Sequence, residues 1–237
     1  MNVTLINYTS DAVALLLFTK ATRLSMTPAL LEEIRAWPEE RKSSELAYMA
    51  KTIKSSWEFL DVTFLIEGVS RAAAQQITRT RTASYAMQSQ RVNDARSFGV
   101  TNALPENTPQ RAAFEKAVRQ ALNNYASLVD AGVPLEDARG VLPMNSQCNL
   151  VAKYNLRSLS DVIKTRKSLR AQGEYANMAR AMEVAVLAVW PWAKAFFASD
   201  KQIAITMLEG VAKELGVTPG KGQGWEIAKA IDLIQKA

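Results

Sequence analysis

Histidine is absent from this 237-residue chain, and cysteine occurs once, as Cys148. Without histidine there is no Ser-His or Cys-His nucleophilic pair, and the commonest general base and zinc ligand are missing. A lone cysteine excludes an intramolecular disulfide framework and any cysteine-cluster metal site, so no metal centre is expected. Long apolar runs are also missing. The longest candidate, Val184 to Ala198, is broken by Pro191 and Lys194 and falls short of the roughly 18–20 residues of a membrane span. The opening MNVTLINYTSD lacks the basic flank and long apolar centre of a signal peptide, so a cytoplasmic location with no membrane partner is expected. Catalysis in such a chain must rest on a cofactor, on carboxylates or on activation by arginine.

The chain is otherwise of ordinary globular composition, 48% apolar and 22% charged, with enough apolar material to bury a full core. Its 29 basic and 23 acidic residues leave a net charge of +6, which suits anionic partners. The basic residues are grouped. Arg79, Arg81, Arg91 and Arg96 form one group, and Arg157, Lys164, Arg166, Lys167 and Arg170 form another. Each group reads either as a solvated face or as an anion site.

Pro28 to Trp37 is predicted as a helix with Thr27 as N-cap and Pro28 at its first position. Ser44 to Trp57 is predicted as a second helix, opened by Ser43 or Ser44. Val62, Thr63, Phe64 and Ile66 make Leu60 to Glu67 a strand that Gly68 ends. Ser70 to about Thr80 is again helical. Thr82 to Val92, polar and without helical spacing, is expected to be loop. A long helix spans Pro109 to Asp130, stopped by Gly132 and Pro134, and Leu150 to Leu156 is a second strand. Ser158 to Ser168 and Glu174 to Trp190 are amphipathic helices. Beyond Ser199 one or two helices flank the turn Gly216 to Gly224, which lacks the phosphate-loop pattern and reads as a simple connection. Helices dominate over few strands, so the expected class is α+β, with helices around a small antiparallel sheet. The expected division is a catalytic domain over 1–199 and a helical extension over 200–237.

The chemistry concentrates in RTRTASYAMQSQR, Arg79 to Arg91. Gln76 and Arg79 lie three apart on the preceding helix, and Arg81, Ser84, Ser89 and Arg91 follow. Guanidinium groups bind phosphate in bidentate fashion, and serine hydroxyls add short hydrogen bonds, so the set has the composition of an anion cradle. A basic RNA-binding module would interleave aromatics with the arginines; only Tyr85 interrupts the run, which disfavours nucleic acid.

This segment resembles the motif R-H-R-x-x-S-x-N-x-x-S-x-R of flavin-dependent thymidylate synthases. Arg79, Arg81, Ser84, Ser89 and Arg91 fall on its fixed positions. FLIEGVSRAAAQQ (Phe64 to Gln76), LEDARGVLP (Leu135 to Pro143), NLRSLSDVIKTR (Asn155 to Arg166) and AQGE (Ala171 to Glu174) are similar to further stretches of that family, in order, across roughly Glu58 to Trp192. The last forty or so residues are not covered.

The resemblance implies C5 methylation of a pyrimidine deoxynucleotide monophosphate, dUMP to dTMP. FAD, 5,10-methylenetetrahydrofolate as one-carbon donor and NADPH as reductant would take part, in a homotetramer whose sites are shared between subunits. By position, Gln76, Arg79, Ser89, Arg91, Arg139 and Arg166 match the nucleotide set, with Arg166 and Ser89 nearest the chemistry. Ser55, Arg79, Arg81, Asn155, Arg157 and Asp161 match the flavin set. An arginine beside the ring carbonyl would stabilise the enolate formed as C5 becomes nucleophilic, and the redox step belongs to the cofactor.

The departures fall largely on the flavin side. Thr80 stands for the motif histidine, Ala86 for its asparagine, and Met87 follows. The upstream pattern H-x-[ST]-x-x-E-H reads Ile53, Ser55, Glu58, Phe59, without either histidine. Arg170 replaces a later histidine, and Asp161 an asparagine. Two alternatives therefore stand beside methylation of dUMP: hydroxymethylation or methylation of dCMP or dUMP at C5, and a non-catalytic nucleotide- or RNA-binding protein. Asp161 reads either as the partner of Ser158 in a capping box or as a carboxylate facing the base or flavin, where it would favour cytosine. Cys148 reads as a buried small residue or a nucleophile on C6. Trp190, Trp192, Phe196 and Phe197 read as an aromatic packing cluster. Glu58 and Glu67 read as bases or as arginine partners.

Overall fold

The computed structural model describes residues 1–167, 173–198, 200–214 and 225–236. Arg170, the AQ of AQGE and the turn Gly216 to Gly224 lie outside the described residues. The chain separates into two compact units, Met1–Trp192 and Ala193–Ala237.

The first unit is built on an antiparallel sheet in the order β1-β2-β4-β3, formed by Asn2–Tyr8 (β1), Asp61–Ser70 (β2), Ser84–Met87 (β3) and Gln147–Asn155 (β4). Alternation decides its buried face. Val62, Phe64, Ile66 and Val69 lie opposite Tyr154, Ala152, Leu150 and Cys148, and all eight are buried. Side chains two apart share a face of a strand, so one face of β2 and β4 carries an unbroken apolar layer, each large side chain contributing about 1.5–3 kcal/mol by burial.

The helices follow as α1 (Ala12–Lys20), α2 (Pro28–Arg35), α3 (Glu39–Thr52), α4 (Arg71–Ile77), α5 (Pro109–Asp130), α6 (Leu135–Ala138), α7 (Leu156–Arg166) and α8 (Gly173–Val189). α4 and α8 pack on the sheet, and α8 buries Tyr175, Met178, Met182 and Val186. In the second unit α9 (Asp200–Glu214) packs against α10 (Trp225–Lys236). Among the described residues no helix is long and apolar enough to cross a membrane, and no cluster of His, Cys, Asp and Glu is placed to hold a metal ion.

Several boundaries differ from expectation for local reasons. Thr82 to Val92 is not all loop, because Ser84–Met87 pairs with Leu150 to Lys153 as edge strand β3. The helix expected from Ser44 opens at Glu39, after Pro38, and ends at Thr52, leaving Lys54–Phe59 as a 3-10 turn. β2 does not stop at Gly68; it bulges there, with Gly68 at φ +65°, a conformation that costs glycine little, and continues to Ser70. Asn155, not Ser158, caps α7, its side chain accepting from Ser158 N at 2.8 Å. That removes the capping-box reading of Asp161, which sits a turn further in and is exposed. α4 ends at Ile77 rather than Thr80, so Arg79 stands beyond it, and Arg81 further on.

Candidate functional site

The RTRT segment leaves α4 through three successive tight turns. Arg79 N donates to Gln76 O, Thr80 N to Ile77 O at 3.1 Å and Ala83 N to Thr80 O at 3.2 Å. Arg79 and Arg81 are both exposed on these turns. Thr82 Oγ1 accepts from Ser158 Oγ at 2.8 Å, which ties the segment to the first turn of α7. Beside it, Arg157 pairs with Glu58 at 2.6 Å, and Glu58 belongs to the 3-10 turn that carries exposed Ser55. The Thr82–Ser158 and Arg157–Glu58 contacts thus set the segment carrying Arg79 and Arg81, the start of α7 at Asn155–Arg157 and the turn at Ser55–Glu58 side by side along one open seam. Glu58 is an arginine partner; Glu67 instead accepts from Asn2 Nδ2 at 3.1 Å. Asp161 makes no side-chain hydrogen bond or ion pair among the described residues.

Beside α4 lies a cavity of about 480 Å³, a size suited to a small-molecule ligand. Arg71, Gln75 and Thr78 enter it from one face of α4, Met87 and Gln90 from the motif, and Arg139 from the turn after α6. Among the described residues no carboxylate is in its wall. Arg71 donates to Met87 Sδ. Gln90 is 7% exposed, and its Nε2 has no hydrogen-bond partner. A buried amide donor without a partner costs about 1–3 kcal/mol, so its position inside an arginine-lined cavity points to a ligand acceptor there. At the rim, Arg91 pairs with Glu136 at 2.6 Å, Arg139 Nε donates to Glu136 O at 3.1 Å, and Ser89 Oγ accepts from Arg91 N.

Of the expected nucleotide set, Arg139 lines this cavity and Ser89 and Arg91 stand at its rim. Gln76, Arg79 and Arg166 lie away from its wall. Arg166 is half-buried, its guanidinium 4.7 Å over the Tyr175 ring. Arg71, Gln75, Thr78 and Gln90 were not singled out from the sequence. Arg71, Gln75 and Thr78 follow the i, i+4, i+7 spacing of one helix face, which is the signal that would have found them.

Cys148 is 2% exposed in β4. Burial pushes its thiol up, with Arg71 opposing in part, so it is a protonated core residue at neutral pH and not an activated nucleophile. Trp190 and Trp192 stack at 5.5 Å with Tyr8 edge-on to Trp190, while Phe196 and Phe197 fall in the second unit.

An α+β body thus sets Arg71 and Arg139 in the wall of one cavity and carries further arginines on the turns beside α7. The family model described as thymidylate synthase complementing protein matches residues 4–192. The chain is 36% identical over 203 residues to the flavin-dependent thymidylate synthase of Geobacter sulfurreducens, covering 81% of this chain and 84% of that one. It is 32% identical over 201 residues to the Sulfurisphaera tokodaii enzyme of the same name, covering 81% and 75%. In fold it is similar to the Helicobacter pylori flavin-dependent thymidylate synthase solved with FAD and dUMP, at TM-score 0.65 and 21% identity, covering 83% of this chain and 98% of that one. The chain belongs to the flavin-dependent thymidylate synthase family.

Proposed function

We propose that this chain is a methyltransferase-type enzyme that binds dUMP and FAD and methylates the pyrimidine at C5. The observation that carries the nucleotide half is the cavity: two arginines, a buried glutamine Nε2 without a partner, and no carboxylate in its wall among the described residues. Arg71 and Arg139 would hold a phosphate, with Ser89 and Arg91 at the rim, and Gln90 would donate to a ligand oxygen. Gln76, Arg79 and Arg166 would complete the site with residues of a neighbouring subunit, in a homotetramer. Arg166 and Ser89 are assigned to the base, where a guanidinium stabilises charge on the ring carbonyl.

The donor set of the seam fits FAD, since Arg79, Arg81 and Arg157 supply three guanidiniums for a diphosphate, with Ser55 and Asn155 beside them. Bound there, the flavin would supply the hydride for the methyl group, with NADPH as its reductant and 5,10-methylenetetrahydrofolate as carbon donor. The second reading, a cytosine substrate or a hydroxymethyl product, is favoured by one observation: Asp161 is exposed and not engaged as a helix cap. A carboxylate there would accept from the amino group of cytosine. Residues 1–199 would form the catalytic body, and 200–237 an added helical segment.

The test is purified protein incubated with FAD and then assayed with dUMP or dCMP, methylenetetrahydrofolate and NADPH, products read by mass spectrometry. We expect a yellow protein and a methyl gain on dUMP. Turnover of dCMP with dUMP untouched, or gain of a hydroxymethyl group, moves the conclusion to the second reading. A colourless protein that binds dUMP without turnover makes it a binding protein.

A further inference from the structure

Tyr85 lies between the motif serine and Ala86, and nothing in the cradle described above uses it. Its ring is held on the sheet: Tyr85 pairs with Ala152 across β3 and β4, and packs edge-on against Tyr154 at 5.9 Å, with Phe64 behind Tyr154 at 6.4 Å. Its hydroxyl reaches out of the strand to the turns that leave α4. It donates to Ile77 O at 2.7 Å, and Thr80 O lies at 3.2 Å as a second acceptor. With that single proton committed, the 3.1 Å contact between the two phenols makes Tyr154 the donor to Tyr85. The last carbonyls of a helix have no partner within it. Here Ile77 O and Thr80 O are also the acceptors of the two turns that display Arg79 and Arg81. One phenol therefore pins both turns, and a fully buried second phenol pins the first to the rigid centre of the sheet.

We infer that Tyr85 is a positioning residue, backed by Tyr154, that fixes the turns carrying Arg79 and Arg81 and so sets where their guanidiniums meet an anionic ligand. The inference rests on the reading of Arg79 as a nucleotide contact. Burial raises both phenols above their ordinary values, so they stay protonated and able to donate across the neutral range. The design is economical in charge: no acidic side chain is needed near the arginines to hold them, and their charge is left for the ligand.

A double-mutant cycle separates this role from general support of the fold. Binding of dUMP is measured by calorimetry on the full chain, with FAD uptake followed by visible absorbance, for the wild type, Tyr85→Phe, Arg79→Ala and the double variant. Tyr85→Phe keeps the ring and removes the hydroxyl; losing one positioning hydrogen bond should weaken dUMP binding about fivefold. In the Arg79→Ala background the same change should cost less than about twofold, because the group it positions is gone. Equal losses in both backgrounds, or no loss in the wild type, overturn the inference while leaving the reading of the site intact. A wild type that takes up neither dUMP nor FAD overturns both. Should Tyr85→Phe fail to fold, Tyr154→Phe goes through the same cycle under the same criterion, with about a twofold loss expected in the wild type.

Discussion

Arg71 and Arg139 share a cavity whose wall, among the described residues, holds no carboxylate, whereas Arg79, Arg81 and Arg157 stand along an exposed seam where Glu58 already engages one guanidinium. In the first group half-buried Arg71 acts in a partly enclosed space, where a charge-assisted hydrogen bond is strong, with exposed Arg139 at its mouth. The second acts in water, where charges are screened and an ion pair contributes little. The departures from the family pattern reach both settings: Met87 lines the cavity, and Thr80 stands in the turns that carry Arg79 and Arg81. An enclosed cavity depends on each polar group it buries, and a substitution there leaves a partner orphaned.

The largest expected effect is on the enclosed side. Arg71→Ala should weaken dUMP binding on the order of 10–100-fold, the usual range for a lost hydrogen bond to a charged group. Calorimetric affinity equal to wild type would erase the distinction between the two settings. Arg157→Ala comes next: about a fivefold loss of FAD affinity by absorbance titration, dUMP affinity within about twofold, and less than about 1 kcal/mol of stability lost, since its pair with Glu58 is exposed. A larger loss for dUMP than for FAD would show that the groups are assigned the wrong way round.

Cys148→Ser should change kcat by no more than about twofold across neutral pH, because burial keeps the thiol protonated and the strand, not the site, holds it. A kcat falling to the assay floor would restore the cysteine as a nucleophile. The smallest effect concerns the loop that leaves the cavity rim. Asp94 is held below the ordinary carboxylate value by Arg96, whose side chain and backbone N both donate to it. A depressed folded value contributes stability that is full above pH 3.8 and is lost as pH falls below it. Asp94→Asn should therefore lower the melting temperature slightly at pH 7, by less as the pH falls below 3.8; an equal shift at pH 7 and at low pH would show that the charge is not what matters.

The class of fold was legible because β2, β4 and α5 carry strong local signals. β-branched and aromatic alternation marked Phe64 and its neighbours, and Thr108 and Pro109 open α5 where N-cap and first-turn preferences place them. β1 and β3 were missed for a shared reason. Each is an edge strand, half exposed, and formed by pairing with residues far along the chain rather than by its own pattern. The site divided in the same way. The motif arginines were visible as a run, and Arg139 through resemblance, but Arg71 and Gln75 gain their meaning only when α4 turns them into one cavity with Arg139. Gln90 is an unmarked position within the motif until its burial shows that its amide lacks a partner.

Glu174 accepts from both the backbone N and the hydroxyl of Ser70, at 2.7 and 2.6 Å, and Ser70 in turn caps α4 through Ala73 N. Tyr175, next to Glu174, carries the guanidinium of Arg166, while Arg71 follows Ser70. Two arginines far apart in sequence are thus joined through three residues, Ser70, Glu174 and Tyr175. The spacing between them behaves as a gauge length set at a single joint, so a substitution at Glu174, which touches neither arginine, would reset both at once.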